Sequence, residues 1–234
     1  MKCGEILKLT ERLLTIADLC KGSNAVIDVG CDHAKLPIYL IENNIVNKAI
    51  ATDIRQGPVD NARKNVVANK MEDRIRINLC NGLADFGPED GDTIIIAGMG
   101  AEEIVSIIDN APWTKNENIK LILQPMTLEY KLREYLYKNG YEVRNEEIAI
   151  EGPKVYTIIC ASWTGKELKE ENYNLFSDKL YQGRNRCTYI EKLIKRYSRM
   201  QEGHRLSAEG ERDDLRQMLE MLDSTLEKMK KDQN

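Results

Sequence analysis

The chain has 234 residues, of which 42% are hydrophobic, enough for one domain of about 150 residues with a sizeable core and an appendage. No apolar stretch approaches the ~20 residues of a membrane span, and Met1-Lys2-Cys3-Gly4-Glu5 lacks the apolar region of a signal peptide, so a soluble cytoplasmic protein is expected. The six cysteines (Cys3, Cys20, Cys31, Cys80, Cys160, Cys187) include no C-x-x-C pair, and His33 and His204 are the only histidines; neither a disulfide framework nor a metal site is indicated. The net charge of −4 is spread unevenly along the chain.

Residues 5 to 20 set Ile6, Leu9, Leu13, Leu14, Ile16, Ala17 and Leu19 on one broad face, which predicts an amphipathic helix. Turn-forming residues 21 to 24 then lead into Ala25-Val26-Ile27-Asp28-Val29, a buried strand that ends at Gly30. From His33 the spacing turns helical, with Leu36, Tyr39, Leu40 and Asn43 three and four apart. A glycine turn between strand and helix lets the backbone approach a ligand closely. It is not a dinucleotide fingerprint, because Asp32 and Lys35 hold the places of the second and third glycines. Asp28 and Asp32 would also repel a pyrophosphate, whereas an amine or sulfonium matches them. S-adenosylmethionine carries both groups.

A second strand over 48 to 53 ends in Asp53, 25 residues after Asp28, where an acid in an open α/β sheet accepts ribose hydroxyls. Gly57-Pro58 opens a helix that runs to Asn69. The third strand, 74 to 79, ends in Cys80-Asn81-Gly82-Leu83, and Asn81 offers a paired donor and acceptor to an adenine edge. The fourth, 93 to 97, ends in a second glycine loop, Gly98-Met99-Gly100-Ala101, before a helix from 102 to about 108. A fifth strand at 119 to 124 is closed by Pro125 and followed by a helix from about 128 to 138; two extended runs, 141 to 150 and 154 to 163, then form an antiparallel hairpin. Five strand-helix units closed by a hairpin predict an α/β fold, the doubly wound Rossmann-like sheet of class I methyltransferases, over residues 1 to 164. Its cofactor-binding residues are expected to be Asp28, Gly30, Cys31, Asp53, Ile54, Asn81, Gly82, Leu83, Gly98 and Met99.

Residues 165 to 234 read as a second domain, an antiparallel coiled-coil hairpin of two helices. Phe176, Leu180, Cys187, Ile190, Ile194 and Tyr197 form one seam, Leu215, Leu219, Leu222, Leu226 and Met229 the other, and the chain turns back within 203 to 210. Between 179 and 205 eight basic residues face two acids, an excess suited to a polyanion. Arg184, Arg186, Lys192, Lys195, Arg196 and Arg199 are the expected RNA contacts, with Tyr181, Tyr189 and Tyr197 placed among them to stack on exposed bases.

With these loops located, the chain resembles the bacterial tRNA (adenine-22-N1)-methyltransferase family. The segments that carry the resemblance are Asp28 to Ile38, Gly57-Pro58, Asn81-Gly82-Leu83, Ile96 to Gly100 and Leu121 to Met126. Two positions depart from the family pattern, Asn81 where an acid precedes Gly82 and Ala101 where a further glycine closes the loop. The resemblance implies methyl transfer from S-adenosylmethionine to N1 of an adenine, position 22, in the D-loop region of tRNA. A ring nitrogen already has an in-plane lone pair and needs positioning more than a strong base. Asp32 and His33 are the expected catalytic residues, Asp32 stabilising the charge that develops on the ring. Two other classes fit the residues: a small-molecule methyltransferase whose hairpin mediates dimerisation, and a non-catalytic binder of cofactor and RNA. A monomer or weak dimer is expected.

Overall fold

In the computed structural model, which describes residues 8–166, 175–177, 179–180, 185–206 and 212–232, the apolar runs become the strands of a mixed sheet. The order along the chain is α1 (Glu11–Leu19), β1 (Ala25–Val29), α2 (Lys35–Glu42), β2 (Lys48–Asp53), α3 (Gln56–Ala68), β3 (Ile75–Leu79), β4 (Thr93–Met99) and α4 (Ala101–Asp109). After them come β5 (Lys120–Pro125), α5 (Glu129–Lys138), β6 (Tyr141–Glu151) and β7 (Lys154–Trp163). Among the described residues seven strands lie in the order β3-β2-β1-β4-β5-β7-β6. β1 to β5 are parallel, and β7 inserts antiparallel between β5 and β6. The chain thus builds outward from β1 to one side, then returns to lay β4 on the other side of β1. The crevice for a ligand opens at that reversal.

Side chains alternate across the sheet, so each strand feeds two cores. Val26, Ala51, Ile95 and Ile122 pack with Ile16 of α1, Leu40 of α2 and Ala62 of α3. Ile27, Ile94, Ile96 and Leu121 pack with Ile104 of α4 and Leu132 of α5. Asp28 is two residues beyond Val26, which turns it toward the α1 side.

Three local expectations change. α1 starts at Glu11, and residues 5–7 of the helix expected over 5 to 20 lie outside the described residues. α2 starts at Lys35, two residues later than the spacing predicts, because Asp32 and Ala34 are left-handed (φ 49° and 52°) and cannot open a right-handed helix. β4 does not stop at Ala97 but runs through Gly98 and Met99, with a register shift against β5 between Ala97 and Met99. Gly98 takes φ 83° at this bulge, which only glycine adopts freely. Ala101, in place of a loop glycine, is the first residue of α4 and is buried, so its methyl is accommodated as helix core.

The chain forms two compact units, residues 1–179 and 180–234. The first extends past the division at 164/165 read from the sequence, and a buried ion pair holds that extension. Arg133 and Glu146 have no accessible side-chain surface; Arg133 Nε and Nη2 donate to Glu146 Oε1 (3.2 and 2.5 Å), and Ser177 N–H donates to Oε2 (2.8 Å). In the second unit α6 (Arg186–Leu206) and α7 (Asp213–Lys231) are antiparallel. Lys230 Nζ lies 3.1 Å from Glu191 Oε1 at one end of the pair, and Gln201 Nε2 donates to Arg212 O (3.2 Å) at the other. Ile190, Leu215, Leu222 and Met229 are buried as the seam requires, while Cys187, Ile194, Tyr197, Leu219 and Leu226 are half-buried. The turn expected within 203 to 210 falls in part outside the described residues, since α6 continues to Leu206 and 207–211 are not described.

Removing one partner of a buried pair leaves a charge with no compensation, at a cost of about 3–5 kcal/mol. Arg133→Met should therefore lower unfolding stability by that amount in urea titrations, and a loss under ~1 kcal/mol would contradict the burial of Glu146 as an ion.

Candidate active site

The ends of β1, β2 and β4 converge on two glycine turns. Gly30 has φ 75°, and the N–H groups of Gly30 and Cys31 both donate to Thr52 O (2.8 and 3.0 Å), bending the β1 exit toward β2. A Cβ on Gly30 would overlap Met99 Cε, so the β1 and β4 loops meet through the space that only glycine leaves. Asn65 Nδ2 of α3 donates to His33 O (2.9 Å) and fastens the turn from behind. Between these loops lies a cavity of about 550 Å³. Gly30, Asp53, Ile54, Asn81, Gly82, Gly98 and Met99 line it, which brings together seven of the ten expected cofactor residues.

A smaller cavity of about 210 Å³ adjoins it and shares Gly30, Asp32 and Ala97 with it. Asp28, Cys31 and His33 line this second space, together with Arg12 and Lys35. Leu83 lines neither cavity, because its side chain is buried in the core on the α4 side. Asp53 is buried, and its Oδ1 accepts the Arg55 N–H (3.0 Å). Asp32 is exposed and faces both cavities; its Oδ2 lies 3.4 Å from His33 Nε2. Burial pushes the Asp28 carboxyl up to about 7, with the Arg12 guanidinium pulling it partly back. Burial, reinforced by Asp28 and Asp53, raises the Cys31 thiol well above the ordinary range, so it stays protonated and unreactive.

The two cavities together form a cleft at the carboxyl ends of parallel strands, floored by glycine and flanked by the buried acids Asp28 and Asp53. Residues 9–159 match the family model of the methyltransferase domain. This chain belongs to the methyltransferase domain family. The tRNA (adenine(22)-N(1))-methyltransferase of Bacillus subtilis is 34% identical over 155 residues, 66% of this chain and 65% of that relative, so the match spans just under two thirds of the relative's length. The solved B. subtilis M1A22 tRNA methyltransferase TrmK has a TM-score of 0.74 at 26% identity, covering 97% of this chain and 99% of that one. TrmK of M. capricolum, solved with S-adenosyl-homocysteine, has a TM-score of 0.70 at 26% identity, covering 95% of this chain and 96% of that one. These findings bear out the resemblance read from the loop motifs.

Several lining residues of the methyltransferase domain escape the sequence reading. Glu103, Ser106 and Ile107 of α4 face the larger cavity, and their spacing of three and one marks a single helix face that could be found once the Gly98 loop is taken as a site. Arg12 carries no local signal. It sits on the polar side of α1, and only the sheet brings it to Gln124 Oε1 (Nη1, 2.7 Å), over the Tyr156 ring (5.5 Å) and near Asp28. Its backbone N–H donates to Glu151 Oε1 (2.8 Å), which pins the start of α1 to the end of β6.

Asp28 makes a prediction with a definite sign. Its native pKa of about 7 exceeds the unfolded value near ~3.9, so the folded protein holds an extra proton between these values and loses stability as pH rises through that window. An asparagine in its place would neither gain nor lose that proton. Asp28→Asn should gain about 2 kcal/mol relative to the parent between pH 5.5 and pH 8 in urea unfolding. A difference that does not change with pH would contradict the buried, raised carboxyl.

Proposed function

We propose that this protein transfers a methyl group from S-adenosylmethionine to N1 of adenine 22 of tRNA. The observation that carries the reading is the glycine-floored cleft between β1 and β4 with acids at two of its corners. Its residues fit the cofactor part by part. The larger cavity is of the size that binds a nucleoside-bearing ligand. Asp53 has an oxygen beyond the one used by Arg55 to take ribose hydroxyls, Asn81 meets the adenine edge, and exposed Ile54 covers the ring. Asp28 faces the smaller cavity opposite Arg12 and Lys35, a set of charges that matches an ammonium and a carboxylate on one amino-acid tail. Bound there, S-adenosylmethionine supplies an electrophilic methyl on a sulfonium.

The protein's own part is positioning. Gly98, Met99 and Gly100 end β4 without the side-chain amide or prolines that would hold an exocyclic amine, and a ring nitrogen needs neither. The adenine ring gains positive charge as N1 is alkylated, and the Asp32 carboxylate at the junction of the two cavities stabilises it. His33, 3.4 Å away, orients that carboxylate. Asp32 is more than half exposed, so solvent screens its effect and orientation contributes the larger share of the rate.

RNA contact falls to α6. Lys192, Lys195, Arg196 and Arg199 are exposed and spaced three, one and three, which puts them on one face. Arg186 is half-buried, and Arg184 and Tyr181 lie outside the described residues. Of the tyrosines expected to stack on bases, Tyr189 is buried and so unavailable, while Tyr197 is half-buried with the Arg196 guanidinium 5.9 Å from its ring centre.

The test is transfer of labelled methyl from S-adenosylmethionine to unmodified bacterial tRNA, with nucleoside analysis of the product. 1-Methyladenosine should appear and should vanish when adenine 22 is replaced. The pair Lys195→Glu and Arg199→Glu should weaken tRNA binding about tenfold or more and flatten its salt dependence, with cofactor binding unchanged. Transfer to a small molecule in place of tRNA, or cofactor binding with no product, would contradict the reading.

A further inference from the structure

Met126 leaves β5 at the carboxyl edge of the sheet, and 47% of its surface is exposed although the five residues before it are buried. Single exposed apolar residues are ordinary. This one is pinned. Its backbone N–H donates to Met99 O (2.8 Å), and the next residue, Thr127, accepts from the Ala101 N–H (3.3 Å), so the β5 exit is stitched to the β4 loop on both sides of Gly100. Beneath it Gln124 has no accessible surface and uses its whole amide. Oε1 accepts from Arg12 Nη1 (2.7 Å) and from the Gly98 N–H freed by the bulge (3.1 Å); Nε2 donates to Pro125 O (2.8 Å) and lies 3.6 Å from Met126 Sδ.

The space above the loop is open. A Cβ on Gly98 or Gly100 would meet nothing closer than 3.6 Å, namely Arg12 Nη1 and Thr127 Oγ1. Glycine there leaves room for a flat group next to the thioether. Ile54, another large apolar side chain exposed at this end of the sheet, lines the larger cavity, follows β2 on the far side of β1 and is taken by the cofactor nucleoside in the reading above.

We propose that Met126 is the platform against which the out-turned adenine of the tRNA stacks, presenting its N1 over the Gly98–Gly100 loop. The inference rests on the proposed tRNA methylation and adds the residue that receives the base. A base leaving its stack loses a few kcal/mol of contact, which a polarizable thioether against the ring face partly restores. Because the contact is apolar and to the ring face, it holds any purine and leaves the choice of position to the RNA fold.

Three full-length proteins decide the matter: the parent, Met126→Ala and Met126→Leu. Each is assayed for methyl transfer to unmodified tRNA, for S-adenosylhomocysteine affinity by calorimetry, and for melting temperature. Met126→Ala should lower kcat/KM for tRNA by about tenfold with cofactor-product affinity held within about twofold, and Met126→Leu should recover most of the loss. Parent-like kcat/KM in Met126→Ala would overturn the platform while leaving tRNA methylation intact. A loss that Met126→Leu does not restore, or one accompanied by an equal loss of cofactor-product affinity, would also overturn it. Absence of 1-methyladenosine with the parent protein would instead overturn the parent reading, and the platform with it.

Discussion

Gly30 has no Cβ, and Met99 Cε occupies the place where one would stand. That contact brings the exits of β1 and β4 within van der Waals reach across the point where the strand order reverses, and the rest of the site follows from it. The Gly30 turn is drawn toward β2 by two N–H groups sharing Thr52 O, which sets Asp53 on one side of the cleft. The β4 exit is bulged at Gly98, and the N–H that the bulge releases is taken up by Gln124. A side chain at Gly30 would need both a left-handed backbone and the space of Met99, so neither loop can be altered without the other.

The electrostatics show a fold carrying a cost for its ligand. Asp28 is buried on the α1 side with an elevated pKa, a position at which an uncharged side chain would be more stable. Arg12 offsets part of that cost from α1, the helix just before β1, and Glu151, Gln124 and Tyr156 in turn hold Arg12. A buried carboxylate that faces a cavity is where a cationic ligand group gains most, because burial has already stripped the carboxylate of the water that would compete with it. Asp53 is held differently: its Oδ1 accepts the Arg55 backbone N–H, and in the proposed reading Oδ2 takes a neutral hydroxyl.

Much of this was legible in the sequence because it is local. The first four parallel strands run into an acid, an asparagine or a glycine at their ends, so Asp28, Gly30, Asp53, Asn81 and Gly98 could be read off strand ends one at a time, and the hairpin announced itself by two long extended runs around Gly152-Pro153. What could not be read is what the sheet brings together. Arg12 and Gln124 are 112 residues apart and meet only because α1 packs on β7 and β6, which lie in that order beyond β5 in the sheet. The late start of α2 came from two left-handed residues, Asp32 and Ala34, neither of them glycine, in a stretch whose apolar spacing is already helical. Leu83 sits in a loop among cavity-lining neighbours yet turns its side chain into the core, a choice of direction that spacing does not encode. In the second unit the seam was recovered from periodicity, but Tyr189 shares that seam's burial and is lost to the basic face of α6.

Every proposed role depends on the cleft between β1 and β4 being the cofactor site. Crystals of the full-length protein soaked with S-adenosylhomocysteine test that most directly. The account predicts density for the ligand across Gly30, with its ribose hydroxyls on the Asp53 carboxylate, its adenine between Ile54 and Asn81, and its amino-acid end beside Asp28 and Arg12. A ligand bound elsewhere, or one in this cleft with the ribose turned away from Asp53, would contradict it.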